Sequence, residues 1–194
     1  MTLISHAGTR AQRLAAFPVD DEPVDEGARA EIGWRAPRVQ QVWSGPERRV
    51  RQTAEALGLS ATTATALRDC DYGNWSGREL SEVQLAEPER VLSWLTDVMA
   101  APHGGESIRD VIDRIGRWLD EQRGVGHIIA VTHPAVIRAA IVSALDVPPQ
   151  AFWRIDIAPL SLTDLRFNGR GWTLRSSGCA LRGSPGPVSE RSDG

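Results

Sequence analysis

Strand-like and helix-like segments alternate along the chain, which predicts a three-layer α/β domain with a mostly parallel central sheet. Three observations carry this reading. The runs Thr2–Ser5 and His127–Val131 are short and apolar, as buried strands are. Each runs into a polar loop that begins with a histidine, His6 or His133, after at most one further residue. Between them, Ile108, Val111, Ile112, Ile115, Trp118 and Leu119 recur at helical spacing and form one apolar face.

The elements follow in order. After the first strand and its loop, Phe17 to Glu26 is rich in Pro and Asp and reads as loop. Gly27 to Arg35 reads as a short helix. Arg38 to Trp43 is a second strand, broken by Ser44-Gly45-Pro46. Glu47 to Leu57 is a helix stopped by Gly58. Ser81 to Met99 has helical composition, interrupted at Pro88. Pro102-His103-Gly104-Gly105 is a turn, and Ser107 with Asp110 caps the amphipathic helix that follows. Ala135 to Leu145 is the helix after His133, ending near Pro148-Pro149. Phe152 to Ile157, Leu160 to Phe167 and Trp172 to Arg175 read as further strands, with Asn168-Gly169 in the last turn. Ser176 to Gly194 is rich in Ser, Gly and Pro and is expected to be a disordered tail, so the domain spans residues 1–175.

Composition narrows the function. The chain has 194 residues, 22 basic against 25 acidic, a net charge of −3, and every basic residue is an arginine. That length supports one domain with its own core. No apolar run approaches the roughly 18 residues of a membrane span. The first residues do not read as a secretory leader. Cys70 and Cys179 are far apart and outside any CxxC pair, which predicts free thiols and a cytoplasmic setting. A slightly acidic chain with scattered arginines is a poor nucleic-acid binder. There is no HxH, HExxH or cysteine cluster, so no metal site is expected. The sequence leaves the oligomeric state open.

In open α/β sheets, sites form at the carboxyl ends of strands. His6 and His133 both stand there. Arg48, Arg49 and Arg51 crowd the start of one helix, where cations oppose the helix dipole. A bound anion would relieve that charge. Arg48 and Arg51 read as a solvated face, and Arg49 as the anion ligand.

Five segments then fall in a familiar order: Ser5-His6-Ala7-Gly8-Thr9, Ser44 through Ala54, Leu67 through Gly77, Gly104 through Ser107, and Thr132 through Arg138. Together they resemble the histidine phosphatase superfamily, with its phosphoglycerate mutase-like fold. The resemblance implies a metal-independent phosphomonoesterase that needs no cofactor and acts on a small phosphorylated metabolite. His6 would be the nucleophile, passing through a phosphohistidine. Arg49 would clamp the phosphoryl oxygens, and His133 would stabilise them. Asp69 stands where the family carries a glutamate general acid, with Asp71 an alternative two residues on. Gln12 takes the place of a family asparagine. Residues 78–103 would cap the site, and Trp75, Trp94 and His103 are candidates to line it. Trp118, Trp43 and Trp153 read as core.

Three departures from the family pattern stand out. Ser5 replaces the arginine beside the nucleophile, a loss worth on the order of 3 kcal/mol, or about a hundredfold in rate. Arg10 or Arg13 is a candidate substitute. Asp69 is one methylene shorter than the family acid. Ala7 and Pro134 replace glycines, which requires negative φ at both. The short cap favours hydrolysis over mutase chemistry. The alternative reading is a family member that binds a phosphorylated ligand or partner with little or no turnover.

Overall fold

The computed structural model describes residues 1–29, 34 and 36–181. Its centre is a six-stranded sheet in the order β3-β2-β4-β1-β5-β6. The strands are β1 (Thr2–Ser5), β2 (Gln41–Ser44), β3 (Thr62–Thr63), β4 (Ile128–Thr132), β5 (Ser161–Phe167) and β6 (Trp172–Ala180). β1/β4, β2/β4 and β2/β3 pair in parallel, whereas β1/β5 and β5/β6 are antiparallel. The helices are α1 (Arg10–Arg13), α2 (Arg48–Ala56), α3 (Leu80–Ala86), α4 (Pro88–Thr96), α5 (Ile108–Glu121) and α6 (Pro134–Leu145).

Alternation along the inner strands builds a core on each face. Leu3, Ile128 and Ala130 pack with the apolar faces of α5 and α6. Ile4, Ile129 and Val131 pack with Val50 and Ala54 of α2. All five residues of β4 are buried, which is why that segment is a continuous apolar run. A third cluster, Phe17, Trp75, Val83, Val91 and Trp94, seats the α3–α4 pair.

Several local expectations need correction. Phe152 to Ile157 is not a strand: Pro149–Arg154 forms a 3-10 helix. Pro148 and Pro149 fix φ and remove ladder donors at its start, which a count of apolar residues does not register. β6 runs past Arg175 to Ala180, so the tail begins later than its composition suggests. Pairing of Leu162 with Cys179 and of Ser161 with Ala180 recruits that polar stretch into the sheet. Of the helix expected over 27–35, the described part is a 3-10 turn, Glu26–Arg29, and 30–33 and 35 lie outside the described residues, as does 182–194. The helical stretch 81–99 is two helices, with Pro88 at the first position of α4. The short α1 and β3 lack a sequence signal strong enough to mark them.

The candidate active site

The site follows from strand register. Ser5 stands opposite Thr132 on neighbouring parallel strands, so His6 and His133 leave the sheet side by side. The backbone N–H of His6 donates to Thr132 O at 3.0 Å. The two rings meet edge to face, 5.2 Å between centroids. β2 lies on the other side of β4 and ends at Ser44, and Gly45 N–H donates to Val131 O at 3.1 Å. Gly45 is required by crowding. A Cβ there would stand 2.7 Å from Leu67 O and 2.9 Å from a Glu47 carboxylate oxygen.

Arg49 is 1% exposed. Its Nη1 donates to Val19 O at 2.8 Å and its Nη2 to Asp69 Oδ2 at 2.7 Å, leaving Nε without a partner. The same Asp69 oxygen lies 3.2 Å from His133 Nδ1, a close charge contact whose angle falls outside hydrogen-bond geometry. Asp69 is carried on a loop that Thr132 Oγ1 anchors by donating to Leu67 O at 2.8 Å. Arg114 of α5 clamps that loop from behind, donating to the carbonyls of Ala66, Arg68 and Asp69 and to both Glu106 carboxylate oxygens.

Charge states follow from these contacts. His6 Nδ1 lies 2.7 Å from Ala7 O. A carbonyl only accepts, so Nδ1 carries the proton and Nε2 keeps its lone pair. Burial, and then the neighbouring charge of His133, push the His6 pKa down to about 3, so the ring is neutral near neutral pH. Burial opposes charge on His133, but Asp69 and Glu47 outweigh it and raise its pKa. Burial also opposes ionisation of Asp69, yet His133 and Arg49 hold its carboxyl well below the usual carboxylate range. The arrangement sets a neutral imidazole with a free lone pair near two cations, His133 and Arg49, chemistry that would suit attack on a bound anion.

Arg49 and Asp69 line a cavity of about 270 Å³, with Tyr72, Asp71 and Arg68 among its other walls. The two histidines lie behind them in the interior. Ser5 is fully buried, and its Oγ has no partner. Ala7 is not among the described residues with positive φ, and Pro134 opens α6, so both glycine replacements fit their backbones.

Not every sequence candidate joins this cluster. Trp75 is fully buried in the Phe17–Trp94 cluster rather than facing the cavity, and Trp94 is buried with it. His103 is fully buried against Trp75 and Tyr72. Its Nδ1 accepts the Gly105 N–H, and its backbone carbonyl accepts the Asn74 N–H. These three read as packing behind the site. The exposed Gln12 completes the capping box of α1 with Thr9. Arg13 pairs with Asp25, and Arg10 lies on the groove beside α1, so neither fills the place of the missing arginine. Asp71 lines the cavity but turns Oδ1 to the Gly73 N–H, leaving Asp69 as the carboxylate at the histidines.

Sequence reasoning missed Glu47 and Thr53. Thr53 Oγ1 donates to Arg49 O at 2.7 Å and accepts the Ala7 N–H at 3.0 Å, tying α2 to the His6 loop. Glu47 is 6% exposed and puts a second carboxylate on His133. An acidic residue at a helix start is ordinary, so nothing in the chain marked it.

A family model for the histidine phosphatase superfamily, branch 1, matches residues 7–180. The chain belongs to the histidine phosphatase superfamily. The match begins one residue after His6. A bifunctional protein of Mycobacterium tuberculosis is 31% identical over 160 residues, covering 72% of this chain and 44% of that protein. A glucosyl-3-phosphoglycerate phosphatase of Mycolicibacterium vanbaalenii is 34% identical over 115 residues, covering 52% of this chain and 51% of that one. The chain therefore spans about half the length of these curated relatives, or less. Among solved structures, a mycobacterial glucosyl-3-phosphoglycerate phosphatase in complex with VO3 superposes with a TM-score of 0.81 at 24% identity, covering 93% of this chain and 98% of that one. That likeness shows the phosphoglycerate mutase-like fold, with its central sheet flanked by helices. Among the described residues, no helix is long and apolar enough to cross a membrane, and no group of His, Cys, Asp and Glu could hold a metal ion.

Proposed function

We propose that this histidine phosphatase superfamily member is a phosphomonoesterase that hydrolyses a small phosphorylated metabolite through a phosphohistidine on His6. The observation that carries the reading is the His6 tautomer. Nδ1 is held by Ala7 O, so Nε2 keeps its lone pair, in a ring 5.2 Å from that of His133 and within reach of the Arg49 charge. In the first step a bond forms between Nε2 and phosphorus while the bond to the leaving oxygen breaks, and that oxygen takes a proton. In the second, water attacks phosphorus, the N–P bond breaks and phosphate departs.

Asp69 supplies the leaving-group proton, and the substrate prepares it for that role. In the structure Asp69 is held ionised by His133 and Arg49. A phosphoryl group that takes over those two cations removes the contacts that depress the carboxyl and adds a neighbouring dianion, both of which raise its pKa. The acid is thus made when substrate binds.

The test is hydrolysis of an aryl phosphate with a chelator present. Turnover should persist with chelator and vanish in His6→Ala; turnover that survives in His6→Ala would overturn the assignment. A second reading, ligand binding with little turnover, is favoured by Ser5, which brings no charge where the family carries an arginine. Phosphate binding to the natural protein without chelator-resistant turnover would establish it.

A further inference from the structure

Glu47 is the one carboxylate at the centre of the site with no part in the chemistry above. It is nearly buried at the start of α2. One oxygen lies 2.7 Å from His133 Nε2, and the other accepts the Asp69 backbone N–H at 2.9 Å. The carboxylate therefore joins three parts of the site: α2, the loop after β4 and the acid loop. Four charged or titratable groups surround the His133 ring. Glu47 and Arg49 come from the start of α2, Asp69 from its loop, and His6 from the end of β1.

We propose that Glu47 is a positioning residue that holds His133 as an imidazolium in one orientation, so that Nδ1–H is the donor turned toward the phosphoryl group. An ionised carboxylate only accepts, so Nε2 must carry a proton to bond it, and that proton is then unavailable to substrate. The opposite ring edge remains. Nδ1 stands 3.2 Å from Asp69 Oδ2, the same oxygen that Arg49 Nη2 holds at 2.7 Å. A phosphoryl oxygen that displaces this carboxylate enters between Arg49 and His133 and can take the in-line position at Nδ1–H that Asp69 Oδ2 does not occupy. Without a carboxylate at 47, Asp69 alone would oppose the burial that favours the neutral ring, so the ring would lose its proton at lower pH, and a neutral ring protonated on Nε2 would offer no donor from Nδ1. Where Ser5 leaves the site one arginine short, the charge on His133 matters more. The inference about donation to phosphoryl rests on the phosphatase reading; the protonation and orientation of His133 do not.

The experiment uses the full chain with ring-15N histidine, as natural protein, Glu47→Gln and Glu47→Asp. Nuclear magnetic resonance follows the His133 nitrogens with pH, and inorganic phosphate serves as the binding probe. In the natural protein both His133 nitrogens should stay protonated past the ordinary histidine range. In Glu47→Gln the ring should lose its proton at least one pH unit lower, with Glu47→Asp between the two. Phosphate should bind Glu47→Gln about tenfold more weakly than the natural protein at pH 8, and nearly equally at pH 5.5, where both rings are charged. A His133 titration unchanged in both variants overturns the proposal, as does a loss of phosphate affinity that is equal at the two pH values. Should Glu47→Gln not fold, Glu47→Asp decides alone: a His133 titration identical to the natural protein overturns it. If the natural protein never turns over an aryl phosphate, the phosphatase reading fails, while the His133 titration still decides the role of Glu47.

Discussion

Arg49 Nη2 and Asp69 Oδ2 stand 2.7 Å apart, so the arginine proposed to clamp phosphate is already engaged by the carboxylate proposed as the acid. Its other fork nitrogen is held by Val19 O. On the proposed function a phosphoryl group would bind by exchange, with Asp69 competing for Arg49. Asp69→Asn keeps the shape and removes the competing charge. Inorganic phosphate should then inhibit roughly tenfold more tightly, the worth of one charge-assisted contact. Turnover should fall by about 10²–10⁴, the usual worth of a general acid. Steady-state kinetics with phosphate as inhibitor read both, and an unchanged inhibition constant would show that the pair does not limit binding.

Much of this site was legible because it rides on the most regular part of the chain. His6 and His133 follow two apolar runs, and parallel register does the rest. Arg49 was readable from its conflict with the helix dipole. What stayed hidden is long-range. Glu47 and Asp69 are 22 residues apart, and only the packing of α2 against the acid loop joins them. Trp75 and His103 were misplaced because an aromatic residue near a motif reads the same whether it faces a pocket or the core behind it. The strand content of Ser176–Ala180 comes from pairing with β5, which local composition does not encode.

Stability should peak near pH 6.5. His6 is neutral in the fold, with its pKa pushed down to about 3, while an unfolded histidine titrates near pH 6.5. Below that, the unfolded chain takes up a proton that the fold refuses, so stability falls by roughly 1.4 kcal/mol per pH unit until the folded value is reached. His133 runs the other way. Its folded pKa is raised, so its contribution is complete below about pH 6.5 and is lost as pH rises through the folded value. Asp69 and Glu47, both depressed, add stability above the ordinary carboxylate range and lose it in stronger acid. Urea unfolding at pH 5, 6.5 and 8 measures the curve. His6→Asn should flatten its acid side between pH 5 and 6.5, and a slope unchanged there would count against a buried neutral His6.

Arg114 should matter to activity although it lies behind the site. It is 9% exposed and bonded to three loop carbonyls and the Glu106 carboxylate. Arg114→Met leaves three loop carbonyls without that donor, while Glu106 keeps Arg68 and the Asp71 N–H as partners, so the cost is about 1–3 kcal/mol. Lysine keeps the charge but cannot span the same acceptors. Arg114→Lys should therefore remain folded, with a lowered melting temperature and a lower kcat at nearly constant KM, because the loop it releases carries Asp69. Thermal melts and steady-state kinetics on an aryl phosphate check both; a KM effect alone would place the damage elsewhere.

Ser5 offers the sharpest separation of stability from function. Its hydroxyl is fully buried, makes no hydrogen bond and sits one residue before His6, the proposed nucleophile. A buried hydroxyl without a partner destabilises the fold, and removing it is neutral or favourable. Ser5→Ala should therefore melt at the same temperature as the natural protein, or slightly above it. If the hydroxyl is kept to donate to the phosphoryl group in place of the family arginine, the same change removes a preorganised donor, and kcat/KM should fall about tenfold to a hundredfold. Differential scanning fluorimetry and aryl phosphate kinetics on the one variant decide it. A loss of stability together with full activity would reverse the assignment and make Ser5 a packing residue.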